Sequence, residues 1–284
     1  MTKAYSADKI RNIALVGHSG AGKTQLTEAF LYLTKVTTRM GKPEEGNTVS
    51  DFDAEEHRRG ISISASVIPV EYEGHKINFI DTPGYADFAG NVKSALIAAE
   101  TAMIVVDAVA GVEVGTEIGW QMADELGMAK AVVVNRMDRD NANWKQVLGQ
   151  LRESFPDARF VPLQVPIGQA GGFKGVYRLI SKAASLGPDG KDGEAPADVL
   201  AEADALREQL VEAAAEGDDA LIMKFLDGEA LTPDEIRHGL QEGAKAGKYV
   251  PVYFTAATNG TGVHALLHQI ITAAPAPTDA RPVG

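Results

Sequence analysis

Cysteine is absent from the 284 residues, which excludes both a disulfide framework and a thiolate metal site. Long apolar runs are absent too. The longest, around Ala102 to Val112, is interrupted by Asp107 and is too short to span a bilayer. The opening stretch, MTKAYSADKI, lacks the apolar core of a secretion signal. Together these absences lead us to expect a soluble, cytoplasmic protein with no membrane partner. Positive charge is also scarce. A formal net charge of -12 argues against general nucleic-acid affinity through phosphate neutralisation, so no sequence-specific DNA binding is expected. Net charge does not exclude a local contact with a ribonucleoprotein, because it speaks to solubility more than to one patch. No internal repeat or low-complexity tract interrupts the chain.

Against that background one stretch stands out. Gly17-His18-Ser19-Gly20-Ala21-Gly22-Lys23-Thr24 fits the pattern G-x-x-x-x-G-K-[ST]. The apolar run Ile13-Ala14-Leu15-Val16 before it reads as a buried strand, and Gln25 to Leu33 after it as a helix. A loop in that setting turns backbone N–H groups toward phosphate oxygens, and the helix N-terminus adds partial positive charge. Lys23 is then expected to reach the β- and γ-phosphates and the Thr24 hydroxyl to hold Mg²⁺, with Gln25 next in line. A glycine loop made only for packing is the bland alternative, and the flanking strand and helix weigh against it.

Residues 36 to 60 carry few apolar positions and many charges, ending in Asp51-Phe52-Asp53-Ala54-Glu55-Glu56-His57-Arg58-Arg59-Gly60. They read as a loop that a ligand must order. From Ile61-Ser62-Ile63-Ser64 the residues alternate through Val70, turn at Glu73-Gly74 and resume at Ile77-Asn78-Phe79-Ile80, a two-stranded hairpin. Its second strand ends in Asp81-Thr82-Pro83-Gly84, where α/β sheets place ligand groups. Asp81 is suited to hold Mg²⁺ through water, and Gly84 lets its N–H approach a terminal phosphate.

Ala86 to Ala99 has helical spacing, Ala102 to Asp107 is an apolar strand, Gly115 to Leu126 a helix, and Ala131 to Asn135 another strand. Such alternation predicts a mostly parallel sheet flanked by helices. Asn135-Arg136-Met137-Asp138 then discriminates between bases. The Asp138 carboxylate can accept from the ring N1–H and the exocyclic amine of guanine, whereas adenine presents an acceptor there. Asn135 would tie this loop to the phosphate loop, and the Arg136 stem would lie along the base. Val250 to Phe254 is a last strand, followed by Thr255-Ala256-Ala257, whose small residues let backbone N–H groups close on the guanine carbonyl. A helix near Val263 to Ala273 follows.

Residues 158–249 read as an inserted α+β subdomain between a nucleotide-binding part, 1–157, and its completion, 250–284. It is expected to have strands at Phe160 to Ile167 and Gly175 to Ile180, then a soft loop from Gly187 to Gly193. A long helix carries Val199, Ala203, Leu206, Leu210 and Ala213 on one face as core. Of two shorter helices, one starts after Gly217-Asp218 and the other is capped by Thr232 with Glu235 three residues on.

With GHSGAGKT, RGISIS, DTPGY, NRMD and this insertion in order, the chain resembles the GTP-binding domain of elongation factor G and its relatives, from about Asn12 to the Pro-rich tail. The closer resemblance is to the divergent elongation-factor-G-like proteins. It implies an α/β P-loop GTPase domain that takes GTP or GDP with Mg²⁺ and answers to the ribosome. It also implies that the natural protein carries further domains. Thr24, Ser62 and Asp81 would be the metal-side residues; Lys23, Gly84 and Tyr85 would stand nearest the chemistry. Three departures cluster there. Tyr85 stands where the family usually has a histidine that positions the attacking water, Ser62 where it has threonine, and Ser19-Gly20 where it has an apolar residue and an aspartate. A phenol orients water but is a poor proton acceptor at neutral pH. Slow hydrolysis is therefore expected, or a guanine sensor with little turnover. A P-loop kinase or ATPase would need a base site that tolerates adenine, which Asn135 and Asp138 speak against.

Overall fold

In the computed structural model, which describes residues 3–279, strand β1 (Ile10–Val16) leads straight into the glycine loop and helix α1 (Lys23–Leu33). Met1 and Thr2 of the opening stretch, and Arg281-Pro282-Val283-Gly284 at the end, lie outside the described residues. The segment expected to be an unordered loop contains helix α2 (Ala54–Arg59). Asp53 caps it and Glu56 reaches back to the Asp53 N–H, a capping box that stabilises a short helix among charged residues. Strand β2 (Ser66–Tyr72) and strand β3 (His75–Asp81) form the expected hairpin, although the first begins at Ser66 and leaves 61–65 as an irregular approach.

Helix α3 (Ala89–Ile97), strand β4 (Thr101–Asp107), helix α4 (Val114–Glu125) and strand β5 (Ala129–Asn135) alternate as expected. Helix α5 (Trp144–Ser154) was not among the expected elements. Trp144, Val147, Leu148 and Leu151 form its buried face.

The single strand expected over Phe160 to Ile167 is two strands, β6 (Phe160–Pro162) and β7 (Gln164–Ile167). The chain changes sheets at Leu163, a break that the unbroken apolar run hid. Strands β8 (Gly175–Arg178), β9 (Ala183–Leu186) and β10 (Lys191–Gly193) continue from β7 as an antiparallel sheet, so the soft loop is mostly a hairpin turn. Helices α6 (Ala197–Ala215), α7 (Asp219–Leu226) and α8 (Pro233–Lys245) follow, the last with the expected capping box at Thr232 and Glu235. Strand β11 (Val250–Phe254) and helix α9 (Val263–Ala273) complete the described chain.

Among the described residues, one sheet has the order β2-β3-β1-β4-β5-β11-β6, and only β2 runs antiparallel to its neighbour. A smaller sheet has the order β10-β9-β8-β7. Both faces of the larger sheet are covered, and alternation within each strand shows it. Ile13, Leu15, Met103, Val105 and Val133 pack on one side, with α1, α9 and the core of α6 to α8. Ala14, Val16, Ile104, Val132 and Val134 pack on the other, with α3, α4 and α5. The stripe on α6 is buried at Val199, Ala203, Leu210 and Ala213 and partly buried at Leu206, in the same apolar mass as the first face. The carboxyl ends of β1, β3, β4, β5 and β11 meet along one rim, which places their loops around a common cleft.

Candidate functional site

The cleft holds about 410 Å³, within the range of small-molecule sites. At one end lies the glycine loop, lined by Ser19, Gly20, Gly22, Lys23, Thr24 and Gln25; Ser62, Thr82, Gly84 and Tyr85 face it. At the other end are Asn135, Arg136, Ala257 and Thr258. Two glycines are required by contact. A Cβ on Gly84 would stand 2.5 Å from the Ser19 backbone N and 2.7 Å from Lys23 Nζ, and one on Gly22, at φ 92°, would collide with the Asn135 amide.

Lys23 is only 5% exposed and folds back to donate to the carbonyls of Gly17 (2.9 Å) and His18 (3.0 Å). Burial pulls its ammonium down to about 8, against the opposing pull of Asp81. Asp81 is likewise buried, and burial pushes its carboxyl up to about 6 despite Lys23 and the Thr24 hydroxyl. Thr24 Oγ1 donates to Asp81 Oδ2 at 2.8 Å and lies 3.2 Å from Ser62 Oγ. Asp81 Oδ1 is buried with no partner. Unpartnered buried carboxylate oxygen is costly, and with the Thr24 hydroxyl on Asp81 and the Ser62 hydroxyl next to Thr24 it makes a set of hard oxygen donors that suits Mg²⁺. Asp51 adds a carboxylate that receives the Ser62 hydroxyl at 2.6 Å; burial raises its titration above the ordinary range while that hydrogen bond opposes the rise.

The other predicted residues fall around this frame. His18 turns its ring away from the cleft, accepting at Nδ1 from the Gly115 N–H (3.2 Å). Thr82 donates its hydroxyl to the Leu15 carbonyl at 2.6 Å, fixing the loop after β3 to β1. Pro83 lines a small hollow between the glycine loop and α4, with Gly17, Gly84 and Tyr85. Tyr85 is 44% exposed at the mouth of the cleft.

At the end of the cleft away from Lys23, Asn135 is fully buried and cross-links three loops. Its Nδ2 donates to the Ala21 carbonyl (3.1 Å), and its Oδ1 accepts from the Thr255 hydroxyl (3.1 Å) and the Ala257 N–H (3.0 Å). Asp138 Oδ2 accepts from the Thr258 hydroxyl at 2.7 Å while Oδ1 is buried and unpartnered. Arg136 donates to Asp107 Oδ2 at 2.9 Å. Burial alone would raise the Asp107 carboxyl, but the N–H groups of Val109 and Ala110 and the Arg136 guanidinium hold it below its ordinary range. The backbone N–H groups expected to close on a base carbonyl are committed elsewhere. Ala256 donates to the Thr261 carbonyl (2.9 Å) and Ala257 to Asn135.

Several contributors escaped the motifs. Asp107 holds Arg136 from a strand end on the rim, the one signal that could have found it, and the Thr255 hydroxyl, in a stretch read only for its small residues, holds Asn135. Glu28, 1% exposed on α1, accepts from the Gly41 N–H (2.9 Å) and the Val49 N–H (2.6 Å), and Gln25 donates to the Gly41 carbonyl (3.2 Å). The segment expected to await a ligand is thus pinned by a buried carboxylate from the helix that carries Lys23 and Thr24.

The family model of the elongation factor Tu GTP-binding domain matches residues 8–276. The chain belongs to that family. As a GTP-binding domain it is similar to a crystal structure of a protein from Thermus thermophilus, with a TM-score of 0.90 and 34% identity over 96% of this chain. The alignment spans 41% of that longer relative. Among the described residues of this GTP-binding domain, no helix is long and apolar enough to cross a membrane.

Proposed function

We propose that this domain binds GTP and GDP with Mg²⁺, hydrolyses GTP slowly, and thereby switches the contact of an elongation-factor-G-like protein with the ribosome in the cytoplasm. Residues 158–249 form an inserted subdomain in this reading, apart from β6 (Phe160–Pro162), which pairs with β11 in the larger sheet. The observation that carries it is at the base end. A buried carboxylate oxygen on Asp138 lacks a partner, and the neighbouring Asn135 is bonded to the glycine loop that would hold the phosphates. Guanine presents two donors to such an oxygen; adenine leaves it unpaired, at a cost of roughly 1–3 kcal/mol or more.

At the phosphate end Lys23 would exchange its two carbonyl partners for phosphate oxygens, which restores a charged partner to a buried ammonium. Thr24, Ser62 and Asp81 would hold Mg²⁺, which when bound neutralises charge on the phosphate oxygens. Backbone N–H groups of the glycine loop and of Gly84 would receive the phosphates. Tyr85 would orient the attacking water without taking its proton, and Ser62 would report the terminal phosphate through its loop.

Competition binding tests the first part. Labelled GDP should be displaced by GTP and not by ATP, and comparable displacement by ATP would refute the reading. The Tyr85 assignment is tested by single-turnover hydrolysis with and without ribosomes. Tyr85→His should raise the stimulated rate about a hundredfold or more, within the span usual for a positioned proton acceptor. The exposed position of Tyr85 favours a second reading, a guanine sensor with little turnover. Ribosome-stimulated phosphate release at a rate typical of a switch would exclude it.

A further inference from the structure

Glu56 does not line the cleft, yet it organises the residue that would read the terminal phosphate. It is 1% exposed, near the start of α2. Its Oε1 accepts from the N–H groups of Ile63 (2.9 Å) and Ser64 (3.0 Å), and its Oε2 from the Asp53 N–H (3.1 Å). Its backbone carbonyl accepts from Gly60 (2.7 Å) and Ile61 (3.3 Å). The neighbouring cations do not share it, since Arg58 and Arg59 pair with Glu55 on the exposed side of the helix. Three backbone donors therefore compensate a buried carboxylate, and two of them belong to the loop from 60 to 64. Ser62 sits inside that bracket, its hydroxyl 2.6 Å from Asp51 Oδ1 and 3.2 Å from Thr24 Oγ1.

We infer that Glu56 is a positioning residue that sets the Ser62 hydroxyl against Thr24, so that discrimination between tri- and diphosphate depends on a side chain outside the cleft. This rests on the guanine-nucleotide reading above. A cap that merely stabilised α2 would need only the Asp53 contact. The two bonds to Ile63 and Ser64 lie beyond the helix and act on the loop alone. Removing the carboxylate would leave the loop beyond Ile61 held only by the Ser62 bond to Asp51 and by Asn91 Nδ2 on the Ile63 carbonyl (2.9 Å), so its Ser62 would be less fixed against Thr24, while the glycine loop, Asp81 and the base end keep their own bonds.

Equilibrium binding of GDP and of a nonhydrolysable GTP analogue to the whole chain tests the idea. Variants are Glu56→Ala, Glu56→Gln, Ser62→Ala and Glu56→Ala with Ser62→Ala. Glu56→Ala should cut the preference for the analogue over GDP about tenfold, the worth of one or two charge-assisted hydrogen bonds. In the Ser62→Ala background the same change should add less than about twofold, because the hydroxyl it positions is gone. An unchanged preference in Glu56→Ala, equal losses for both nucleotides, or full additivity with Ser62→Ala would each overturn the inference. Should Glu56→Ala lose its cooperative melt, Glu56→Gln decides. It keeps one acceptor oxygen and turns an amide N–H₂ toward a backbone donor, so about a threefold loss is expected, again absent with Ser62→Ala. If the unaltered protein binds neither nucleotide, the functional reading itself falls; if it binds both and the variants behave like it, only the role of Glu56 falls.

Discussion

The two ends of the cleft are built on different principles. At the base end, Asn135 and Thr255 lie at the ends of the neighbouring parallel strands β5 and β11, and the buried amide closes its bonds within the protein. At the phosphate end, Lys23, Asp81 and the loop that carries Asp51 and Ser62 come from three separate stretches. The charges of Lys23, Asp81 and Asp51 are buried and only partly compensated, and the loop is held by Glu28 and Glu56. Asn135 is thus satisfied in advance, while the Asp138 carboxylate near it keeps one buried oxygen without a partner. At the other end the buried Lys23 and Asp81 keep part of their desolvation cost, which, in the guanine-nucleotide reading, phosphate and Mg²⁺ would lift together. A binding site can put its stability in one half and its responsiveness in the other.

If that contrast is right, the largest effect on the fold comes from the neutral end. Asn135→Ala leaves the Thr255 hydroxyl, the Ala257 N–H and the Ala21 carbonyl without partners, and should destabilise the protein by about 3 kcal/mol or more. Chemical denaturation measures it, and a loss below about 1 kcal/mol would break the contrast. Next, Asp138→Ala should reduce the preference for GTP over ATP by roughly ten- to a hundredfold with little change in the thermal midpoint, since its bond to Thr258 is exposed. Competition binding alongside a melt separates the two quantities.

At the charged end two costs oppose each other. Lys23→Met should abolish measurable nucleotide binding but lower the stability of the free protein less than Asn135→Ala does, because losing a costly buried ammonium offsets part of what Asp81 loses with its counter-charge. A drop in the midpoint as large as that of Asn135→Ala would show that Asp81 and the Gly17 and His18 carbonyls matter more than desolvation. The smallest effect is in pH dependence. The folded Asp81 carboxyl titrates at about 6, above its unfolded value near 3.8, so the folded state binds the extra proton between those values. Stability of the free protein should therefore fall as pH rises from about 4 to about 6, and Asp81→Asn should remove that component from the melting curves. An identical slope in both proteins would show that other groups set it.

Most of the site was legible because its motifs are contiguous. Gly17 to Thr24, Asp81 to Gly84 and Asn135 to Asp138 announce backbone and side-chain chemistry at fixed offsets, and each sits at a strand end as alternation predicts. The switch of sheets at Leu163 was not legible, because a run of apolar residues looks the same in one strand or two. Helix α2 was hidden by its charges, although the Asp53 to Glu56 spacing is that of a capping box. The contacts made by Glu28, Glu56 and Asp107 join a side chain to a backbone or guanidinium group elsewhere in the chain. No local pattern encodes such a contact.

By itself the sequence determined which residue types line the rim and in what order, because the strand-to-loop spacing is a local property of the backbone. Only the tertiary structure decided which of their polar atoms are already satisfied and which are left buried and waiting. That balance depends on neighbours brought together from distant parts of the chain, and on how little water reaches them.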